Sequence, residues 1–294
     1  MFTGKEIMSV KEFAEKARKA VQEVLGDEYF VDTGENLKLN ETKPWSINIH
    51  SRSRSVAPVI FLDSFYQEYQ EGKKFGDIIN DIIKLYWEYV PKNDIDLSYI
   101  MDYEKVRDNI FLRLCNLERN NELLKDSVYI PFLDLAVLFY ISFENSDIGR
   151  GQIRVRQEYL EKWNVTTEEV MKDARKNSEK EIDLRVMEFS GFPMFVMSNK
   201  SLSGGASSML YPDALDDFAR QNGSNVFVIP SSIHEVILIP DNDGIAEGSE
   251  EWVQKTTELK NIISAVNREE VSAEDILSDN LYYFERDKKK LKIV

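Results

Sequence analysis

Residues 194–241, MFVMSNKSLSGGASSMLYPDALDDFARQNGSNVFVIPSSIHEVILIPD, decide the fold class of this chain. They contain an apolar run, a Gly/Ser-rich link, a short amphipathic helix that begins near Pro212, and two further apolar runs. Short apolar runs bounded by turn residues are typical of strands, and proline favours the first turn of a helix. The segment therefore predicts an α+β fold, in which mixed, mainly antiparallel sheets pack against helices.

The N-terminal sequence continues this alternation of helices and strands. Ser9 and Glu12 form a capping box before the first helix, and Gly26 follows its last apolar residues. Residues 45–50 alternate apolar and polar side chains, a pattern typical of a half-buried strand. The fold is thus expected to begin with one helix followed by strands.

The middle and the end of the chain suggest two structural halves. Residues 133–143 are almost continuously apolar, which predicts a central strand, whereas residues 179–190 are predicted to form a charged connection. Residues 281–294 have the pattern of a hairpin around a Lys-rich turn. A break in composition near the middle predicts two α+β subdomains, residues 1–148 and 149–294, with one continuous domain as the alternative.

The composition is that of an acidic, globular protein. The formal net charge is −15, and 43% of the residues are hydrophobic, which is ample for a packed core. A negative field repels phosphate backbones, so nucleic-acid binding would need a local basic patch. The best candidates for such a patch are few and dispersed, namely Arg52, Arg54, Arg150, Arg154 and Arg156. We therefore expect no nucleic-acid partner and favour a protein as the partner.

Cysteine content and hydropathy indicate a soluble, cytoplasmic protein without a membrane partner. The single cysteine, Cys115, excludes an intrachain disulfide and lies in an apolar context that predicts a core position. Residues 1–13 lack the apolar core of a signal peptide. The longest apolar run, residues 135–141, is far shorter than the ~20 residues that span a bilayer.

The candidate catalytic residues are Ser231, Ser232 and His234. A nucleophilic serine needs a base within hydrogen-bond reach and a third group that orients the base. On an extended strand Ser232 and His234 would point to the same side, whereas Glu235 would point away and could not orient the imidazole. No Gly-x-Ser-x-Gly turn supplies oxyanion donors. The favoured interpretation is a turn that leads into a hairpin strand, with no catalytic role.

Gly204 and Gly205 follow a predicted strand and are flanked by serines, as in some phosphate-binding loops. They lack both the Gly-x-Gly-x-x-Gly spacing and a following Gly-Lys-Ser/Thr. Pro212 also places the start of the next helix too far along the chain for its N-terminus to hold a phosphate at Gly204. The link is therefore predicted to be a tight or flexible connection, and no cofactor is expected.

The patterns for metal binding are incomplete. His50 and His234 are the only histidines, and no His-x-x-x-His or His-Glu-x-x-His occurs. Residues 241–247, DNDGIAE, resemble a fragment of a calcium loop but lack its full ligand spacing. We expect no bound metal ion.

Several blocks of the sequence resemble a bacterial family of domains of unknown function, many of whose members come from anaerobic gut bacteria. The blocks include PVIFLDSFYQEYQEGKKFGDII (58–79), WNVTTEEVMKDARKN (163–177), NVFVIPSSIHEVILIPD (225–241) and VNREEVSAEDILSDNLYYFERD (266–287). They occur in order over nearly the whole chain. The resemblance implies a cytoplasmic α+β protein and assigns no activity, cofactor or catalytic residue.

Three functional hypotheses remain. The favoured one is a non-enzymatic binding or accessory protein that acts through protein or small-ligand contacts, because catalytic and cofactor motifs are lacking. The alternative is a hydrolase or transferase that uses Ser231 or Ser232 with His234. The third is a small-ligand sensor whose pocket is lined by aromatic residues, with Tyr66, Tyr69, Tyr86 and Trp87 as candidates.

Overall fold

The structure is a computed structural model that describes residues 8–52, 54, 57–91, 96–145, 149–189 and 192–294. The chain forms two compact units. The first comprises residues 1–38, 42–99 and 143–151, and the second comprises residues 39–41, 100–142 and 152–294. Both contain helices and antiparallel sheets, so the predicted α+β class is confirmed. The subdomain boundary expected after residue 148 falls on a position outside the described residues and stays a prediction.

The first unit packs helices against a three-stranded sheet. Its elements are α1 (Val10–Leu25), β1 (Tyr29–Glu35), β2 (Trp45–Ser51), β3 (Val59–Phe61), α2 (Asp63–Gln70) and α3 (Phe75–Tyr89). The sheet is antiparallel in the order β1-β2-β3. The predicted capping box between Ser9 and Glu12 is present, and Gly26 ends α1 with a φ of 75°. Buried side chains of α1, α3 and the strands form one core, which includes Phe13, Ile47 and Ile78.

The second unit contains two sheets, and the first of them is centred on a long apolar strand. Its elements are α4 (Tyr103–Val106), β4 (Ile110–Asn116), α5 (Asn121–Leu124), β5 (Tyr129–Phe132), β6 (Leu135–Asn145), β7 (Gly149–Arg154), α6 (Gln157–Trp163) and α7 (Thr167–Glu179). The end of β6 and the start of β7 fall within residues 143–151 and so belong to the first unit. Strand β6 pairs with β4, β5 and β7, so the predicted central strand is confirmed. Helix α7 covers the outer edge of β4, where the Leu112 N–H donates to Ser178 Oγ at 2.8 Å.

The second sheet has six strands and carries most of the segment that decides the fold class. Its elements are β8 (Ile182–Phe189), β9 (Phe192–Asn199), α8 (Pro212–Asn222), β10 (Val226–Ser232), β11 (Glu235–Pro240), α9 (Glu250–Glu269), β12 (Tyr282–Glu285) and β13 (Lys290–Ile293). The order is β13-β12-β10-β11-β9-β8, with every described neighbour antiparallel. The terminal hairpin is confirmed. The charged connection predicted for residues 179–190 is wrong, because charged and apolar side chains alternate there along the edge strand β8.

The carboxylate of Asp134 joins the two sheets of the second unit. Asp134, in the turn between β5 and β6, accepts hydrogen bonds from Ser278 Oγ at 2.6 Å, Asn280 Nδ2 at 2.9 Å and Tyr282 Oη at 2.7 Å. Burial, together with the Asp134 carboxylate, raises the pKa of Tyr282, so the phenol stays protonated and donates. The start of β12 is thereby held to the β5–β6 turn.

We predict that Asp134→Ala lowers the free energy of unfolding by about 3 kcal/mol, because three donors lose a charged acceptor. Urea unfolding followed by far-UV circular dichroism measures the change. Asp287→Ala is the control, since the Asp287 side chain is 88% exposed, and it should leave the unfolding midpoint unchanged. Equal midpoints for the Asp134 variant and the parent would contradict the assigned role.

Candidate functional site

His234 lies in a hairpin turn and not on a strand. Strand β10 ends at Ser232 and β11 begins at Glu235, so Ile233 and His234 form the turn between them. The extended geometry assumed for Ser232 and His234 is therefore wrong. Ser232 Oγ instead accepts a hydrogen bond from the backbone N–H of His234 at 3.0 Å.

Both nitrogens of the His234 imidazole face partners that hold the turn in place. The backbone N–H of Gly204 donates to Nδ1 at 3.1 Å, and Nε2 lies 3.3 Å from Asp275 Oδ1. Ser231 Oγ lies 3.4 Å from Glu235 Oε1. Within the described residues, no serine hydroxyl bonds to the imidazole, so the geometry lacks the nucleophile–base contact of a serine hydrolase.

The glycine link packs tightly under this turn. Gly204 adopts a φ of 69°, in the left-handed region that favours glycine. A Cβ on Gly205 would lie 2.3 Å from Ser198 Oγ, 2.4 Å from the Asn199 nitrogen and 2.7 Å from the His234 oxygen. The link is therefore a tight connection, one of the two alternatives predicted from the sequence, and it fixes β9 to the β10–β11 turn.

Arg113 is a functional candidate that the sequence interpretation missed. It lies in the middle of β4, and its side chain packs against Gly204, where a Cβ would come within 2.7 Å of Nε. Arg113 Nη2 donates to Ser203 Oγ at 2.8 Å, and Cζ lies 5.1 Å from the centre of the Tyr140 ring. A single charged residue within an otherwise apolar strand was the available sequence signal.

The Arg113 guanidinium lacks a carboxylate partner among the described residues. No carboxylate oxygen of a described Asp or Glu lies within 4.0 Å of the guanidinium nitrogens. Among the described residues, Ser203 is the one hydrogen-bond partner of the guanidinium. Burial lowers the pKa of Arg113 and raises the pKa of Tyr140, while the Arg113 and Arg154 guanidinium groups oppose the rise at Tyr140. The cluster of Arg113, Tyr140 and Ser203 therefore presents a partly desolvated positive charge with unused donors.

The acidic segment after β11 contacts a lysine. Lys255 Nζ lies 2.9 Å from Asp241 Oδ1 and 2.8 Å from Asp243 Oδ2, and the Tyr283 hydroxyl donates to Asp241 Oδ2 at 2.7 Å. The lysine ammonium thus offsets the charge of the two carboxylates. Across the described ranges, no group of three or more His, Cys, Asp and Glu side chains is placed to hold a metal ion.

Three of the four aromatic candidates contribute to the core of the first unit, and Trp87 lies at its surface. Tyr66 and Tyr69 each lie 5.4 Å from the Phe13 ring, whereas Tyr86 and Trp87 contact each other at 5.1 Å. These contacts are the tilted and edge-on arrangements of ordinary aromatic packing. Tyr66, Tyr69 and Tyr86 therefore serve the core of that unit, whereas Trp87 is 49% exposed.

The remaining sequence candidates have local partners or core positions. Arg150 pairs with Glu144 at 3.8 Å, and Arg154 and Arg156 pair with Asp126 at 3.1 and 3.5 Å. The other two arginines considered, at positions 52 and 54, lie in the first unit. The other histidine, His50, also lies in the first unit, where its Nε2 is 3.0 Å from Asp32 Oδ2.

Cys115 has the core position that its sequence context predicts. Its side chain is 1% exposed and packs with Leu123, Leu124, Ala136 and Leu138. Burial raises the pKa of the Cys115 thiol to about 12, so the thiolate needed for nucleophilic attack does not form near neutral pH.

Comparison with known proteins identifies one family over nearly the whole chain. A family model described as a family of unknown function, DUF5688, matches residues 10–191 and 181–286. No curated protein and no solved structure matches the chain. No described helix combines the length and the apolar character that a bilayer-crossing segment needs.

We predict that Gly205→Ala destabilises the protein by about 2 kcal/mol or more, because a Cβ has no room beside the β9 backbone and the His234 turn. Thermal unfolding measures the effect. Gly76→Ala is the matched control, since a Cβ at this exposed position of α3 meets nothing within 4 Å. Its stability should be unchanged or slightly raised, and a Gly205 variant that behaves likewise would contradict the close approach.

Proposed function

We propose that this chain, which belongs to the DUF5688 family of unknown function, is a non-enzymatic cytoplasmic protein that binds a small oxyanion at Arg113. The ligand class is a carboxylate or a phosphate. The observation that carries the proposal is the half-buried guanidinium without a carboxylate partner in the described part of the chain. A bound carboxylate or phosphate would supply the negative charge that the guanidinium lacks.

Desolvation of the guanidinium supports this proposal. Arg113 pairs with Leu138 across the sheet and shares its strand face with Cys115, both buried apolar side chains. An uncompensated charge in such surroundings is costly, and the cost falls when an anion binds. Arginine is also the residue best suited to grip a carboxylate or phosphate through two parallel hydrogen bonds.

Most N–H donors of the Arg113 guanidinium are unused by the described residues. A guanidinium carries five N–H donors, and the bond to Ser203 uses one of them, which leaves four. The Tyr140 ring makes a cation–π contact with the guanidinium. Gly204 lies against Cγ, Nε and Cζ of Arg113. The side chain is therefore positioned before a ligand arrives, which reduces the entropy lost on binding.

The geometry of the serine–histidine turn favours a non-enzymatic role over the hydrolase alternative. His234 bonds through its ring to Gly204 and faces Asp275, and Ser232 bonds to the His234 backbone. These contacts stabilise the turn, and among the described residues no serine hydroxyl bonds to the His234 imidazole. A cytoplasmic location agrees with the single, buried cysteine at position 115, since reducing compartments keep thiols unpaired.

We predict that inorganic phosphate or succinate raises the melting temperature at constant ionic strength, with chloride as the reference salt. At ten times the dissociation constant, the anion contributes about 1.4 kcal/mol of stability. Arg113→Met should remove this response while leaving the ligand-free stability unchanged or raised, because an unpaired buried charge is removed. A response to one anion alone distinguishes a phosphate site from a carboxylate site.

Arg175→Met is the matched control for the Arg113 variant. Arg175 Cζ also lies 5.1 Å from a tyrosine ring, that of Tyr211, and its Nη2 donates to the Leu210 oxygen at 3.3 Å. This variant should keep the anion response. Equal responses in the parent and the Arg113 variant, or a parent that responds to neither anion, would overturn the proposed site.

We predict that a fluorophosphonate probe leaves the native protein unlabelled, because the His234 imidazole contacts Gly204 and Asp275 and not a serine hydroxyl of the described turn. Intact mass spectrometry of the parent measures labelling, and a known serine hydrolase serves as the positive control for the probe. Labelling that disappears in Ser231→Ala, Ser232→Ala or His234→Ala would instead support the hydrolase alternative.

A further inference from the structure

Strand β8 forms an outer edge of the six-stranded sheet and exposes apolar side chains on both of its faces. Leu184 is 41% exposed, Val186 is 66% exposed and Met187 is 49% exposed. No other described strand pairs with this edge. Residues 182–189, IDLRVMEF, contain neither the lysine nor the proline that commonly protects an edge strand from pairing.

The hydrogen-bond pattern shows which residues of β8 present their backbone groups outward. The Lys200 N–H donates to the Glu181 oxygen at 2.9 Å, so the backbone of Glu181 faces β9. The direction of the backbone N–H and C=O groups alternates along an antiparallel strand, so those of Asp183 and Arg185 also point toward β9. Leu184 and its even-numbered neighbours therefore direct their N–H and C=O groups away from β9, toward an additional strand.

We infer that β8 pairs antiparallel with β8 of a second copy of this chain, with Leu184 opposite Leu184 at the two-fold axis. In this register Asp183 of each copy lies opposite Arg185 of the other, and Ile182 lies opposite Val186. The Asp183–Arg185 positions are non-hydrogen-bonded pairs, in which cross-strand side chains come closest. Two opposite-charge pairs and three apolar pairs then form on one continuous sheet.

Two neighbouring registers are less complementary. An axis at Arg185 would place two guanidinium groups directly opposite each other, which is destabilising. An axis at Val186 would place Leu184 opposite Glu188 and Arg185 opposite Met187, so neither charge would meet a partner. Asp183 and Arg185 form an ion pair within one copy, so both side chains lie on the same face of β8, where they are 32% and 43% exposed and can be shared with the second copy.

Sedimentation equilibrium at micromolar concentrations tests this inference. The parent should have twice the chain mass of 34.2 kDa. Arg185→Asp should raise the dimer dissociation constant by about tenfold or more, because two like-charge pairs replace two opposite-charge pairs. The combined Asp183→Arg and Arg185→Asp exchange should restore the dimer, since each charge again meets its opposite.

Two further variants separate the pairing from general effects. Lys172→Asp makes the same change in net charge at an exposed position of α7 and should leave the dimer intact. Leu184→Pro removes an outward N–H while sparing the bonds to β9, and it should give a folded monomer. A monomeric parent, or a dimer that persists in both the Arg185 and the Leu184 variants, would overturn the inference. A charge exchange that fails to restore the dimer would reject this register.

Discussion

The second unit depends on the absence of a side chain at Gly205. The Cβ of any other residue would overlap Ser198, the Asn199 nitrogen and the His234 oxygen, so the backbone of the link can approach β9 and the β10–β11 turn only as glycine. The approach allows the neighbouring Gly204 N–H to reach the imidazole of His234. It also allows Ser203 to reach β4, in the other sheet of the unit.

The same close approach connects packing to the proposed binding chemistry. Once Ser203 and Gly204 are held in place, their contacts and that of the Tyr140 ring restrict the Arg113 guanidinium. The long, flexible side chain of Arg113 is thereby held in one position, and its guanidinium loses part of its solvation. His234 contributes to this arrangement as a structural residue, through its bond to Gly204, and its neighbouring serines need no catalytic role to explain their geometry.

Much of the fold could be predicted from the sequence because its signals are local. The Ser9–Glu12 capping box and the apolar run of β6 each reflect the conformation of neighbouring residues. Strand β8 was missed because its charged side chains lie at an edge, where solvent or another chain compensates them. The contact of Arg113 with the glycine link joins residues that are distant in the chain, and no periodic pattern records such a contact.

The hydrogen bonds of Asp134 form only after distant parts of the chain have been synthesised. The carboxylate emerges from the ribosome with the β5–β6 hairpin, but Ser278, Asn280 and Tyr282 follow only after the intervening strands and helices. Until they arrive, β10 lacks β12 as a neighbour, and one side of the six-stranded sheet remains open. The nascent chain therefore completes this sheet only after β12 has emerged, and the edge of β10 stays unpaired during that interval.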